Sequence, residues 1–130
     1  MLCLSFIANK TPNTQCCICI ARLTVPDRVQ YDLTATDGVI DLTIAQNTIG
    51  SDASDLENEV TSALSSGDPL YADKYDLVMI CLPAGTSRGG NLNWIAYAYV
   101  GGAVSVYNGG AKCANEDNQM HEVGHNWGLR

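Results

Sequence analysis

Histidine is nearly missing from this chain: it occurs twice, at positions 121 and 125, among 130 residues. Chemistry that draws three imidazoles from these residues alone is therefore excluded. Basic charge is also scarce. Seven Lys and Arg stand against fourteen Asp and Glu, a formal net charge of −7. The cations are scattered, which argues against a nucleic-acid backbone or an anionic membrane surface as partner. No apolar run approaches the roughly 20 residues that cross a bilayer. The glycine-rich stretch Ala84-Gly85-Thr86-Ser87-Arg88-Gly89-Gly90-Asn91 lacks the Gly-Lys-Ser/Thr ending of a phosphate-binding loop and no helical pattern follows it, which argues against nucleotide binding. A secretory leader is not evident either. Residues 1–8 are apolar but short, have no basic start, and run straight into Asn9-Lys10, the first two residues of a glycosylation triplet of a kind frequent by chance.

What is present suits a folded domain. An apolar fraction of 46% with 16% charged residues is globular, and 130 residues fit one small domain or part of a larger one. Six cysteines (Cys3, Cys16, Cys17, Cys19, Cys81 and Cys113) are an even and fairly high number, as in proteins of oxidising compartments. Their pairing is not legible from spacing. Cys16 and Cys19 form a C-x-x-C, but no second pair exists to complete a structural zinc site. The residues that follow alternate like a strand, not like the helix of a redox motif. These cysteines read as disulfide partners or buried strand residues.

Along the chain, residues 18–25 alternate as a strand that Pro26-Asp27 ends, and 28–34 alternate weakly as another. Thr36-Asp37-Gly38 signals a turn before a β-branched strand over 39–44. Residues 1–37 are otherwise poorly assigned. Ser54-Asp55-Leu56-Glu57 has the form of a capping box, in which the serine caps and the glutamate reaches back. Leu56, Val60, Ala63 and Leu64 follow as one apolar stripe, with Gly67 as the stop, so this helix is expected to back a sheet. Residues 75–82 form a continuous apolar run closed by Pro83, the pattern of a central strand buried on both faces. Two more strands are expected over 94–100 and 103–107, then a turn at Asn108-Gly109-Gly110. A last helix follows, capped by Asn115 or Asp117, with Glu116 and Asp117 suited to its positive end. Met120, Val123 and Trp127 recur on one side of it and are expected to pack on the sheet, with Asn126 a polar helix-end residue. The element order gives a mixed α/β (α+β) fold: a twisted mixed sheet, a backing helix and a C-terminal helix.

The chain closes on His121-Glu122-Val123-Gly124-His125-Asn126-Trp127-Gly128-Leu129-Arg130. Residues four apart lie one turn above each other on a helix, so both imidazoles can aim at one cation. Neutral nitrogen donors keep such a site cationic, and Glu122, one position on, can take a proton from a polarised water as general base. Gly128 can end the helix in a left-handed conformation and turn the chain back. The plain alternatives are two surface histidines and a solvated glutamate.

His-Glu-x-x-His-x-x-Gly is the first part of the extended metzincin motif. With Gln119-Met120 before it and Leu129 after, the segment resembles the gametolysin family of metzincin zinc endopeptidases. The likeness extends through residues 75–86, 94–100 and 103–107, and loosely back to residue 38. It implies a zincin-like catalytic domain and a Zn²⁺ cofactor held by His121 and His125. It also implies Glu122 as catalytic base, and peptide or protein substrates of the extracellular space or cell wall. It further implies that Ile95, Ala96, Tyr97, Ala98, Tyr99 and Val100 form the upper edge of the cleft and bind substrate. Cys81 and Cys113 lie in the matching part and are paired first on that ground. Secretion follows from the likeness and the cysteine count. The family's third histidine is expected just past Arg130, so residues 1–130 are expected to be a fragment with weak zinc affinity and little activity alone. Two other readings stay open: a non-catalytic metal-binding remnant, and a small disulfide-bonded extracellular interaction domain.

Overall fold

The computed structural model describes residues 15–21, 39–43, 49–67 and 76–130. The expected strand over 28–34, the turn at 36–38 and the cysteine at position 3 lie outside them. The described part is a small mixed α+β domain. Strands β1 (Gln15–Ala21), β2 (Val39–Thr43), β3 (Leu77–Leu82), β4 (Ala96–Ala98) and β5 (Val104–Asn108) form one sheet in the order β2-β1-β3-β5-β4. β1 runs antiparallel to both neighbours, β3 and β5 are parallel, and β4 is antiparallel to β5. Helices α1 (Ala53–Gly67), α2 (Gly110–Cys113) and α3 (Glu116–Asn126) complete it. Among the described residues no helix is long and apolar enough to cross a membrane.

β3 is the centre of the sheet, and all six of its residues are buried. Side chains on a strand alternate between faces, so a run such as Leu-Val-Met-Ile-Cys-Leu supplies two cores at once. Val78, Ile80 and Leu82 join Val106, Trp94, Tyr97 and the α1 residues Ala53, Leu56, Val60 and Leu64 on one side. Met79 and Cys81 join Tyr107 and Cys113 on the other. Cys81 and Cys113 are disulfide-bonded, with their Cα atoms 5.7 Å apart. The bond ties α2 to β3 immediately before α3 begins.

Several local expectations are corrected. Ser54 lies inside α1 and is not its cap. The helix starts one residue after Asp52, whose Oδ1 accepts from the Ser54 amide (3.0 Å) and hydroxyl (2.6 Å). Its Oδ2 accepts from the Gly89 amide at 3.0 Å. These donors hold the Asp52 carboxyl below the ordinary carboxylate range. A charged acceptor that also ties down a neighbouring loop wins over the serine two residues on. Glu57 accordingly does not reach back; it accepts from two tyrosines across the core. Ala63 is exposed, and Ala53 takes its place in the apolar stripe. From the last residue of the expected turn at Asn108-Gly109-Gly110, residues 110–113 form the one-turn helix α2, which was not expected. The expected strand over 94–100 is regular only at Ala96–Ala98.

Candidate metal centre

α3 begins where the side chain of Asn115 accepts from the Asn118 amide at 2.9 Å, settling the choice between the two expected caps. Asn118 and Gln119 then donate back to the carbonyls of Lys112 (3.0 Å) and Cys113 (2.7 Å), fastening the helix to α2. The disulfide, α2 and these amides set where the helix enters the domain.

One turn apart on α3, the rings of His121 and His125 meet edge to face, with centroids 4.6 Å apart and planes at 88°. Their Nε2 atoms are 3.1 Å from each other. The opposite nitrogen of His125, Nδ1, lies 2.9 Å from the Leu129 carbonyl oxygen. A carbonyl only accepts, so Nδ1 carries the proton and Nε2 of a neutral His125 presents its lone pair. The His121 Nε2–H then donates across the 3.1 Å gap. A backbone carbonyl that fixes the tautomer in this way is the usual support of a metal-ligating histidine.

The Leu129 carbonyl is in place because of Gly128. The helix closes with the Gly128 amide on the His125 carbonyl (2.8 Å) and the Leu129 amide on the Gly124 carbonyl (3.0 Å). That reversal needs a left-handed residue, and Gly128 has φ +89°. The turn therefore brings the chain back over the helix and delivers the oxygen that orients His125.

Glu122 is 6% exposed, and its Oε2 has no hydrogen-bond partner. It is not a solvated surface glutamate. Burial raises its pKa above the ordinary range, and His121, His125 and Arg88 oppose that rise. The Tyr107 phenol is likewise buried, and is pushed up to about 12 by burial, with Ser105 opposing the rise and the Glu122 charge adding to it.

The face of α3 turned to the sheet differs from expectation. Trp127 is 62% exposed and Met120 69% exposed; neither is in the core. Asn126, 6% exposed, takes the buried side with Glu122, one turn before it. Its Nδ2 donates to the carbonyls of Val104 (3.0 Å) and Tyr99 (3.3 Å), and the Gly101 amide donates to the His125 carbonyl at 2.9 Å. The β4–β5 turn offers main-chain polar groups here, which an asparagine satisfies and an indole cannot. The helix is rotated to suit them.

β4 ends the sheet, paired on one side with β5, so its other side carries main-chain groups outside the ladder. Of the residues expected along the cleft edge, Ala96 and Ala98 are partly buried, Tyr97 is buried beneath the sheet, and Ile95, Tyr99 and Val100 are exposed. Asn108 fastens the approach to this strand: its Nδ2 donates to the carbonyls of Leu92 (3.0 Å) and Trp94 (3.1 Å), while its Oδ1 accepts from the Thr86 hydroxyl at 3.0 Å.

The donor set fits a zinc ion in part. Two nitrogens on one tetrahedral zinc, each at about 2.0–2.1 Å, stand roughly 3.3 Å apart. The observed 3.1 Å needs only a slight opening. The unpartnered Oε2 of Glu122 is a further acceptor on the same helix, close enough for the His121 and His125 charges to act on it. Among the described residues, however, no three His, Cys, Asp or Glu side chains converge as a ligand group, so His121 and His125 offer two candidate donors where catalytic zinc takes three. Asn126, Asn108 and Tyr107 escaped sequence reasoning. Asn126 left one trace, its position four residues after Glu122, and the apolar stripe of Met120, Val123 and Trp127 obscured it. No family model matches the chain, and no curated protein or solved structure matches it to a significant degree.

Proposed function

We propose that this chain carries the metal-binding helix of a zinc-dependent endopeptidase, zincin-like in fold and resembling the gametolysin family, that hydrolyses extracellular or cell-wall proteins. One observation carries the reading: two imidazole Nε2 atoms 3.1 Å apart, one with its tautomer set by the Leu129 carbonyl, beside a buried and unpartnered glutamate. His121 and His125 would hold the ion. When bound, zinc supplies Lewis acidity that acidifies water and steadies negative charge on a carbonyl oxygen. Glu122 takes a proton from water and returns it to the leaving amine. Its burial favours the protonated form, the direction that suits a carboxylate required to take up a proton and give it back. The outer edge of β4 offers main-chain groups to an extended peptide, which would add as a further strand. The Cys81–Cys113 bond accords with secretion into an oxidising compartment.

A second reading, a metal-binding domain without catalysis, is favoured by the count of two candidate donors among the described residues. Cleavage of an unstructured protein substrate separates the two. The protease reading expects hydrolysis, however slow, that requires zinc, stops on chelation, and falls at least about 100-fold in Glu122→Gln. Zinc uptake that His125→Ala abolishes, with no hydrolysis at any zinc concentration, supports the second reading instead.

A further inference from the structure

Glu57 is a buried carboxylate on the opposite side of the sheet from the histidines, and neither the metal nor the α1 cap uses it. Its Oε2 accepts the Tyr97 hydroxyl at 2.8 Å and the Tyr99 hydroxyl at 3.0 Å. Tyr97 lies in β4, and Tyr99 follows that strand directly. The Arg88 guanidinium sits 4.1 Å from the centroid of the Tyr97 ring, and the Tyr97 and Tyr99 rings meet edge to face at 6.0 Å. One carboxylate oxygen thus gathers two phenols from the edge of the sheet, with a cation stacked on one of them.

β4 needs such support, because its three residues pair with β5 alone. From the α3 side, Asn126 holds the Tyr99 carbonyl, one residue after His125. From the α1 side, Glu57 holds the Tyr99 hydroxyl. The same residue is gripped by its backbone on one face and by its side chain on the other. The position of β4 relative to the histidine pair is therefore set jointly by the two helices.

We infer that Glu57 is a positioning residue: its carboxylate, by holding Tyr97 and Tyr99, keeps the outer edge of β4 aligned with the His121–His125 pair for binding an extended peptide. This inference rests on the protease reading for its consequence, but not for its geometry. Replacing the acceptor loosens the strand and weakens substrate binding, while the reacting groups stay in place.

The test pairs hydrogen exchange over residues 95–100 with peptide-cleavage kinetics, on the whole chain. Glu57→Met removes the acceptor at similar length. It is expected to speed exchange over 95–100 about tenfold while α1 and β3 change less than about twofold. KM is expected to rise several-fold with kcat nearly unchanged, and Glu57→Gln, which keeps an acceptor oxygen, to recover part of both effects. Should Glu57→Met not fold, Tyr99→Phe removes a single hydroxyl from a half-exposed residue and is expected to shift exchange and KM in the same directions by a smaller factor. Unchanged exchange over 95–100, equal acceleration throughout the domain, or a fall in kcat at constant KM overturns the inference. If the chain cleaves nothing, the protease reading fails by itself, and exchange still decides whether Glu57 holds the strand.

Discussion

The two long helices of this domain obey opposite rules. α1 buries Ala53, Leu56, Val60 and Leu64 against the sheet, with Glu57 beside them, and shows water Ser54, Asp55 and Asn58. α3 buries Glu122 and Asn126 and shows water Met120 and Trp127. Burial of apolar area holds the first helix, at roughly 25 cal/mol per Å². The second is held by hydrogen bonds to a turn, by its cap, by two side-chain amides donating to carbonyls near α2, and by a disulfide just before it. The difference teaches that α1 supports the sheet, whereas α3 is oriented by directional contacts that fix its rotation. A helix that must aim two ring nitrogens at one point needs rotational precision more than buried area.

This contrast can be broken at three levels. Leu56→Ala strikes the larger energy. Its side chain is fully buried, so the variant is expected to lose about 3 kcal/mol in denaturant unfolding. A loss below about 1 kcal/mol would mean that α1 is not the helix that carries the core. Asn126→Ala strikes the directional contacts and is expected to lose about 1–2 kcal/mol. It should also widen exchange in the 99–104 turn and weaken zinc uptake, although Asn126 is not a ligand. Normal zinc uptake in that variant would show that the histidines are aimed by something else. Met120→Ala and Trp127→Ala are expected to change stability by less than about 0.5 kcal/mol each. A loss comparable to that of Leu56→Ala would refute the exposed placement of that stripe.

Much of the fold was legible beforehand, because its signals are local. The six-residue apolar run of β3, the stripe of α1 and the Asn115 cap each depend on neighbours a few residues away. So does the spacing of His121 and His125, and so does the reversal at Gly128. Trp127 was misjudged for the opposite reason. Its spacing with Met120 and Val123 matches a core-facing stripe as well as Leu56 and Val60 do. Only the carbonyls of Tyr99 and Val104, more than twenty residues away, decide that Asn126 faces the sheet instead. Glu57 was misread likewise: its spacing from Ser54 matches a capping box, but two phenols some forty residues distant claim it.

The chain by itself determined a helix carrying two histidines one turn apart, with a glutamate between them and a glycine to reverse its end. These follow from helical periodicity and from the φ range glycine tolerates. Only the tertiary structure decided that the rings converge, that the glutamate is buried without a partner, and that the edge strand is gripped from both faces. The ring geometry is held by the Leu129 carbonyl four residues away, which spacing alone does not place. The grip on the edge strand depends on polar groups whose partners lie far away in sequence, where only the folded chain brings donor and acceptor together.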